Sequence, residues 1–173
     1  MINTVRLALP AEAVDIARIQ RRAWGKDPVL AATMLQMPAD EASRIWHRAI
    51  TKAPLAQMRV LVAIGETGVA GFAVTQPSQD PDARPEIGEI AEFVIDDEGK
   101  GHDGRLINAA VDTLQKDGFT VARMWLPTRA DDLRAFLTET GWGADGAVQE
   151  ATTEDGKHSL KMVRLHTDIT PEA

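Results

Sequence analysis

Residues 89–118 constrain this chain more than any other stretch: EIAEFVIDD, then EGKGHDGR, then LINAAVDTLQKDG. The first piece is apolar and of strand length. The last places Ile107, Ala110, Val111 and Leu114 at i, i+3, i+4 and i+7, the period of an amphipathic helix over 101–116. A short loop with three glycines joins them. Such a loop leaves the first backbone N–H groups of the helix unpaired, and the helix dipole adds partial positive charge there. That is an anion site, and it predicts a phosphate-bearing small molecule as ligand.

The remaining pattern predicts a mixed sheet. Strands are expected at 4–9, 58–64, 69–75, 87–95, 120–126, 147–152 and 159–166. Helices are expected over 10–24, over 29–36 and over 39–51, with a further one opened by a Thr128–Asp131 capping box. Gly118 and Gly141 follow helices, where a left-handed cap is common. Helices alternate with strands only in the second half. The expected class is therefore α/β (α+β), with a mixed, mostly antiparallel central sheet of about six to seven strands flanked by helices. One domain is expected over 1–173, ending in a loose tail at 167–173.

Composition narrows the function. The net charge is −7 and the pI near 5.1, which argues against a nucleic-acid or anionic-membrane surface and is compatible with a cationic substrate. There is no cysteine, so disulfides and thiolate chemistry are excluded. No stretch has the ~20 consecutive apolar residues of a membrane span, and the N-terminus lacks the apolar centre of a signal peptide; a cytoplasmic protein is expected. His47, His158 and His166 lack metal-ligand spacing, and no metal is expected. The serines sit in no nucleophile elbow. The glycine loop is neither a Walker motif nor a dinucleotide fingerprint.

The element order, the Glu98-Gly99-Lys100-Gly101-His102-Asp103 loop, and the later Ala135-Phe136-Leu137 and Gly141-Trp142 together resemble the GNAT superfamily of acyl-CoA-dependent N-acyltransferases. The resemblance covers nearly the whole chain. It implies acetyl-CoA as co-substrate, a small-molecule amine as acceptor, and direct attack of the amine on the thioester. It places the pantetheine on the backbones of Phe93, Val94 and Ile95, and the pyrophosphate on Lys100, Gly101, His102, Asp103, Gly104 and Arg105. It places the general base at Glu89. Glu92 is a second candidate, on the opposite face of the strand given the period of two. Trp24 is read either as core or as a wall of the acceptor pocket, and Trp46 as core. A homodimer is one assembly the resemblance implies.

The chain also departs from that family. Glu98 replaces the usual Arg or Gln and Asp103 the usual Gly or Ala. With Asp96 and Asp97 they put four carboxylates around the loop. Each close like charge opposes anion binding by ~1 kcal/mol at moderate dielectric. Asp103 has a second reading as a helix cap, and His102 a second reading as a solvent-facing residue. No tyrosine is present to act as a general acid. These departures support a rival function, a catalytically silent domain that serves as a binding or assembly module.

Overall fold

The computed structural model describes residues 3–172. The elements are β1 (Thr4–Leu7), a 3₁₀ turn at Pro10–Glu12, α1 (Ala13–Trp24), α2 (Pro28–Met34), α3 (Ala39–Thr51), β2 (Arg59–Gly65), β3 (Gly68–Pro77), β4 (Ile87–Ile95), α4 (His102–Lys116), β5 (Val121–Pro127), α5 (Asp131–Glu139), β6 (Gly143–Thr152) and β7 (Ser159–Asp168). The strands form one seven-stranded sheet in the order β1-β2-β3-β4-β5-β7-β6. Only β4 and β5 run parallel; every other neighbouring pair is antiparallel. The mixed, mostly antiparallel sheet expected from the sequence is therefore present. Among the described residues no helix is long and apolar enough to cross a membrane.

The apolar alternation of the central strands divides the core in two. Val60, Val62, Phe72 and Val74 meet Ile16, Ile19, Ala42 and Trp46 of α1 and α3. Leu61, Ala63, Ala73, Ile90, Ala122 and Met124 meet Leu106, Ile107, Ala110 and Leu114 of α4 on the other face. Each layer follows from the period of two on the strands and the helical stripe opposite it.

Two irregularities of β4 position the site. It pairs with β5 only through Ile87↔Val121, Gly88↔Ala122 and Glu89↔Arg123, although both strands continue well beyond. Past Glu89 the strands diverge, and the β5-facing edge of residues 90–95 carries no ladder. The second irregularity is a bulge opposite Val74 and Thr75. Thr75 is paired with Ile90 and Val74 with Glu92, so Ala91 is an extra residue.

Several sequence expectations are corrected. The capping box at Thr128 and Asp131 does not form: Ala130 is the N-cap and no side chain bonds there. The short second helix starts earlier, where the Asp27 side chain accepts the N–H groups of Val29 at 2.8 Å and Leu30 at 3.3 Å. The expected tail at 167–173 is shorter, because Thr167 and Asp168 belong to β7 and Ile169 is buried in the core. Ala173, its last residue, lies outside the described residues.

Gly71 fixes how closely β3 and β4 approach. A Cβ added there would stand 2.6 Å from the Val94 carbonyl oxygen, a backbone atom that cannot rotate away. Gly71→Ala should lower the free energy of unfolding by about 1–3 kcal/mol through overpacking. A urea titration of the two proteins checks this as a reduced midpoint.

Candidate active site

A cleft of about 440 Å³ opens beside the free edge of β4. Its walls come from four places: Phe93, Val94 and Ile95 of β4; Glu98 and Gly99 with His102 and Asp103 at the start of α4; Ala23 and Lys26 at the end of α1; and Asp132, Leu133 and Phe136 of α5. Phe93 and Ile95 pair with Ala73 and Gly71 and share their face of the sheet, whereas Val94 pairs with Phe72 and shares the other. The cleft thus runs through the split in the sheet rather than along one surface.

The loop supplies the polar end. Gly99 and Gly101 take φ of 79° and 77°, the left-handed region that glycine enters without steric cost. They turn the chain so that successive amides stay free. Among the described residues, the backbone N–H groups of Glu98, Gly99, Lys100, Gly101, His102 and Asp103 find no protein acceptor. Only Gly104 is capped by a side chain, donating to Asp103 Oδ1 at 2.9 Å. Asp103 thus takes one of the helix's free N–H groups and leaves the others open.

His102 does not face solvent. It is 2% exposed, and its Nδ1 lies 3.0 Å from an Arg105 amino group. A guanidinium only donates, so Nδ1 is the acceptor. Arg105 also donates to the Lys100 carbonyl at 2.8 Å, which clamps the loop onto the first turn of α4. Of the expected cofactor residues, Phe93, Val94, Ile95, His102 and Asp103 line the cleft; Lys100, Gly101, Gly104 and Arg105 are not among its lining residues. Asp96 is paired with Arg22, at 2.8 Å. Glu98, Asp103 and Asp132 line the cleft, with Lys26 as the one lysine or arginine among the lining residues.

The bulge decides where the two glutamates point. Glu89 pairs with Gln76 and Glu92 with Val74, residues two apart on β3. Both therefore face the α1–α3 side, and the expected opposite placement of Glu92 is overturned by the extra residue between them. Glu89 is 8% exposed, not a solvated rim residue, and accepts from Gln76 Nε2 at 2.6 Å. Burial raises its pKa above the usual carboxylate value. Glu92 accepts one hydrogen bond, from Gln20 Nε2 at 2.7 Å. Burial pushes its pKa up to about 7. Trp46 is core, as expected, but its indole N–H also donates to Gln20 Oε1 at 3.0 Å. Trp24 sits half-buried at the end of α1, next to the cleft residue Ala23.

A charged network beyond Glu89 went unnoticed in the sequence. Arg164 of β7 donates to Asp80, Asp82 and Asp145 at 3.0, 2.9 and 2.6 Å, and Arg123 of β5 donates to Asp82 at 2.8 Å. Trp125 Nε1 donates to Asp80 at 3.0 Å, and Arg164 lies over its ring at 5.6 Å. The Arg164 bond holds the Asp82 carboxyl at about 2. The network ties the β3–β4 connection down onto β5 and β7. Its signal in the sequence was two arginines inside otherwise apolar strands, VARMWLP and SLKMVRLH.

The Glu92 geometry has a consequence for stability. Its folded-state pKa of about 7 exceeds the ordinary 4.5, so folding takes up a proton between these values and stability falls as pH rises across them. At pH 8 the ionised group opposes folding by about 3 kcal/mol at most. Glu92→Gln should therefore gain stability relative to the parent protein as pH rises from 5 to 8, read as diverging urea midpoints.

No family model matches the sequence, and no curated protein matches it. Solved structures do match in fold. The chain aligns over 98% of its length with all of an N-acetyltransferase from Staphylococcus aureus Mu50, at a TM-score of 0.80 and 13% identity. It aligns over 99% with 96% of yncA from Salmonella typhimurium, a structure that contains its cofactor acetyl-CoA, at 0.77 and 17%. An acetyltransferase of the GNAT family from Streptococcus pneumoniae matches over 96% of this chain and 99% of its own, at 0.71 and 20%. The chain has the fold of the GNAT acetyltransferases.

Proposed function

We propose that this protein is an N-acetyltransferase that moves an acetyl group from acetyl-CoA to a small-molecule amine. One observation carries the reading. The unpaired β4 edge leads through Asp96 and Asp97 to six free N–H groups, and the half-buried Glu92 carboxylate stands on the same strand. Peptide-like amides of a pantetheine arm fit an unpaired strand edge, and a pyrophosphate fits a run of free N–H groups at a helix start. Acetyl-CoA supplies an activated acyl carbon and a thiolate that leaves without a general acid, which removes the need for a tyrosine.

The protein's own task is then proton removal. An alkylammonium is almost wholly charged near pH 7 and cannot attack until it loses a proton. Glu92, ionising at about 7, is matched to that transfer. It borders the cleft residue Phe93, and we assign it the base. Glu89 sits on the same face where β4 and β5 part, and is the second proton acceptor. The Phe93, Val94 and Ile95 backbones and the N–H groups from Glu98 to Asp103 are the cofactor's partners in this reading, with Lys26 offsetting part of its charge. Trp24 is assigned to the acceptor side.

A second reading is favoured by one specific observation: Glu98, Asp103 and Asp132 all line the cleft. A silent binding module would tolerate them. The test mixes the protein with acetyl-CoA and a panel of primary amines and follows thiol release. Turnover is expected, with kcat/KM rising with pH through about 7. Glu92→Gln should lower it by about 10²–10⁴-fold. Coenzyme A binding without thiol release from any amine would favour the module; no binding at millimolar ligand would overturn the enzyme reading.

A further inference from the structure

Resting on Glu92 as the base, we infer that Gln20 is a positioning residue. It holds the Glu92 carboxylate in one orientation, and Trp46 fixes the direction of its amide. The three side chains come from three elements, α3, α1 and β4, and form a single chain of bonds: Trp46 Nε1 to Gln20 Oε1 at 3.0 Å, then Gln20 Nε2 to Glu92 Oε1 at 2.7 Å. An indole N–H can only donate. The Gln20 oxygen must therefore face Trp46, and its NH₂ group must face Glu92. Trp46 is itself set edge-on against Phe72 of β3, with centroids 5.2 Å apart and planes at 71°. A core aromatic pair thus dictates which end of an amide meets the carboxylate.

The consequence is asymmetry at Glu92. Oε1 is taken by Gln20. Oε2 has no protein partner and is not among the sealed polar atoms of the described residues, so part of its surface is open to solvent. A donated hydrogen bond favours the ionised carboxylate and opposes the effect of burial. Gln20 therefore keeps a half-buried acid ionisable near neutral pH and aims its free oxygen.

No other charged group competes for this role. On α1, Arg21 donates to the Met37 carbonyl and Arg22 to Asp96. Every charged residue of α3 is exposed, and α2 has none. On β4 itself the other titratable group of this face is Glu89, which Gln76 holds.

The test labels glutamate side chains with ¹³C and follows the Glu92 carboxyl through a pH titration, assigned by its loss in Glu92→Gln. In Gln20→Leu the midpoint should move up by about one pH unit. Trp46→Phe keeps the edge-on ring but removes the donor, frees the amide to flip, and should move the midpoint the same way by less. The acidic limb of kcat/KM should follow, with KM for acetyl-CoA unchanged. An unmoved midpoint in both variants overturns the inference. If Gln20→Leu does not fold, Trp46→Phe decides alone. If Glu92→Gln keeps full turnover, Glu92 is not the base and the functional reading fails; the carboxyl titration still reports separately whether Gln20 governs this group.

Discussion

Everything distinctive about this molecule depends on the parting of β4 and β5 after three residue pairs. A parallel pair in mid-sheet normally continues and buries its backbone groups in a ladder. Here the ladder stops at Glu89↔Arg123, and the next six residues of β4 keep one edge free. Unpaired backbone groups inside a protein are costly unless something satisfies them. The sheet tolerates the split because both sides are secured elsewhere. β4 pairs with β3 to its end, and β5 pairs with β7 throughout. The Arg123–Arg164–aspartate network braces the far side, and α4 buries its apolar stripe across β2, β3 and β4.

The bulge at Ala91 turns this opening into a site with chemistry. One additional residue moves Glu92 to the face of Glu89, beneath α1 and α3. There it accepts from Gln20 and, among the described residues, forms no ion pair. Desolvation then dominates its protonation. The anion end is governed by the opposite balance. Six free N–H groups favour negative charge, while Glu98, Asp103 and Asp132 oppose it. Backbone dipoles are fixed and directional, whereas partly exposed carboxylates are screened and can turn away. That difference would let an acidic loop serve as the anion site of the proposed reading.

The sequence revealed elements and their order well, because strand and helix periods are local properties. β4 and α3 end where periodicity put them. The glycine loop feeding α4 was also legible, since paired glycines before an amphipathic pattern mark a turn into a helix. What stayed hidden depends on register. The face of Glu92 could not be read, because a bulge shifts the period without leaving a residue signature. His102 looked like a loop histidine, yet Gly65 on a separate strand gives its ring room to be buried. Gln20 carries no local signal beyond its place in a helical pattern, and its partners lie 26 and 72 positions away. Long-range polar pairing of this kind carries no local pattern.

The central claim is that the open β4 edge and the adjoining loop form one cofactor-binding surface. Backbone amide NMR during titration with acetyl-CoA tests it most directly. The account predicts saturable shifts concentrated at Phe93–Ile95 and Glu98–Asp103, with slowed hydrogen exchange of the loop amides. Shifts confined to other elements, or none at millimolar acetyl-CoA, would contradict it.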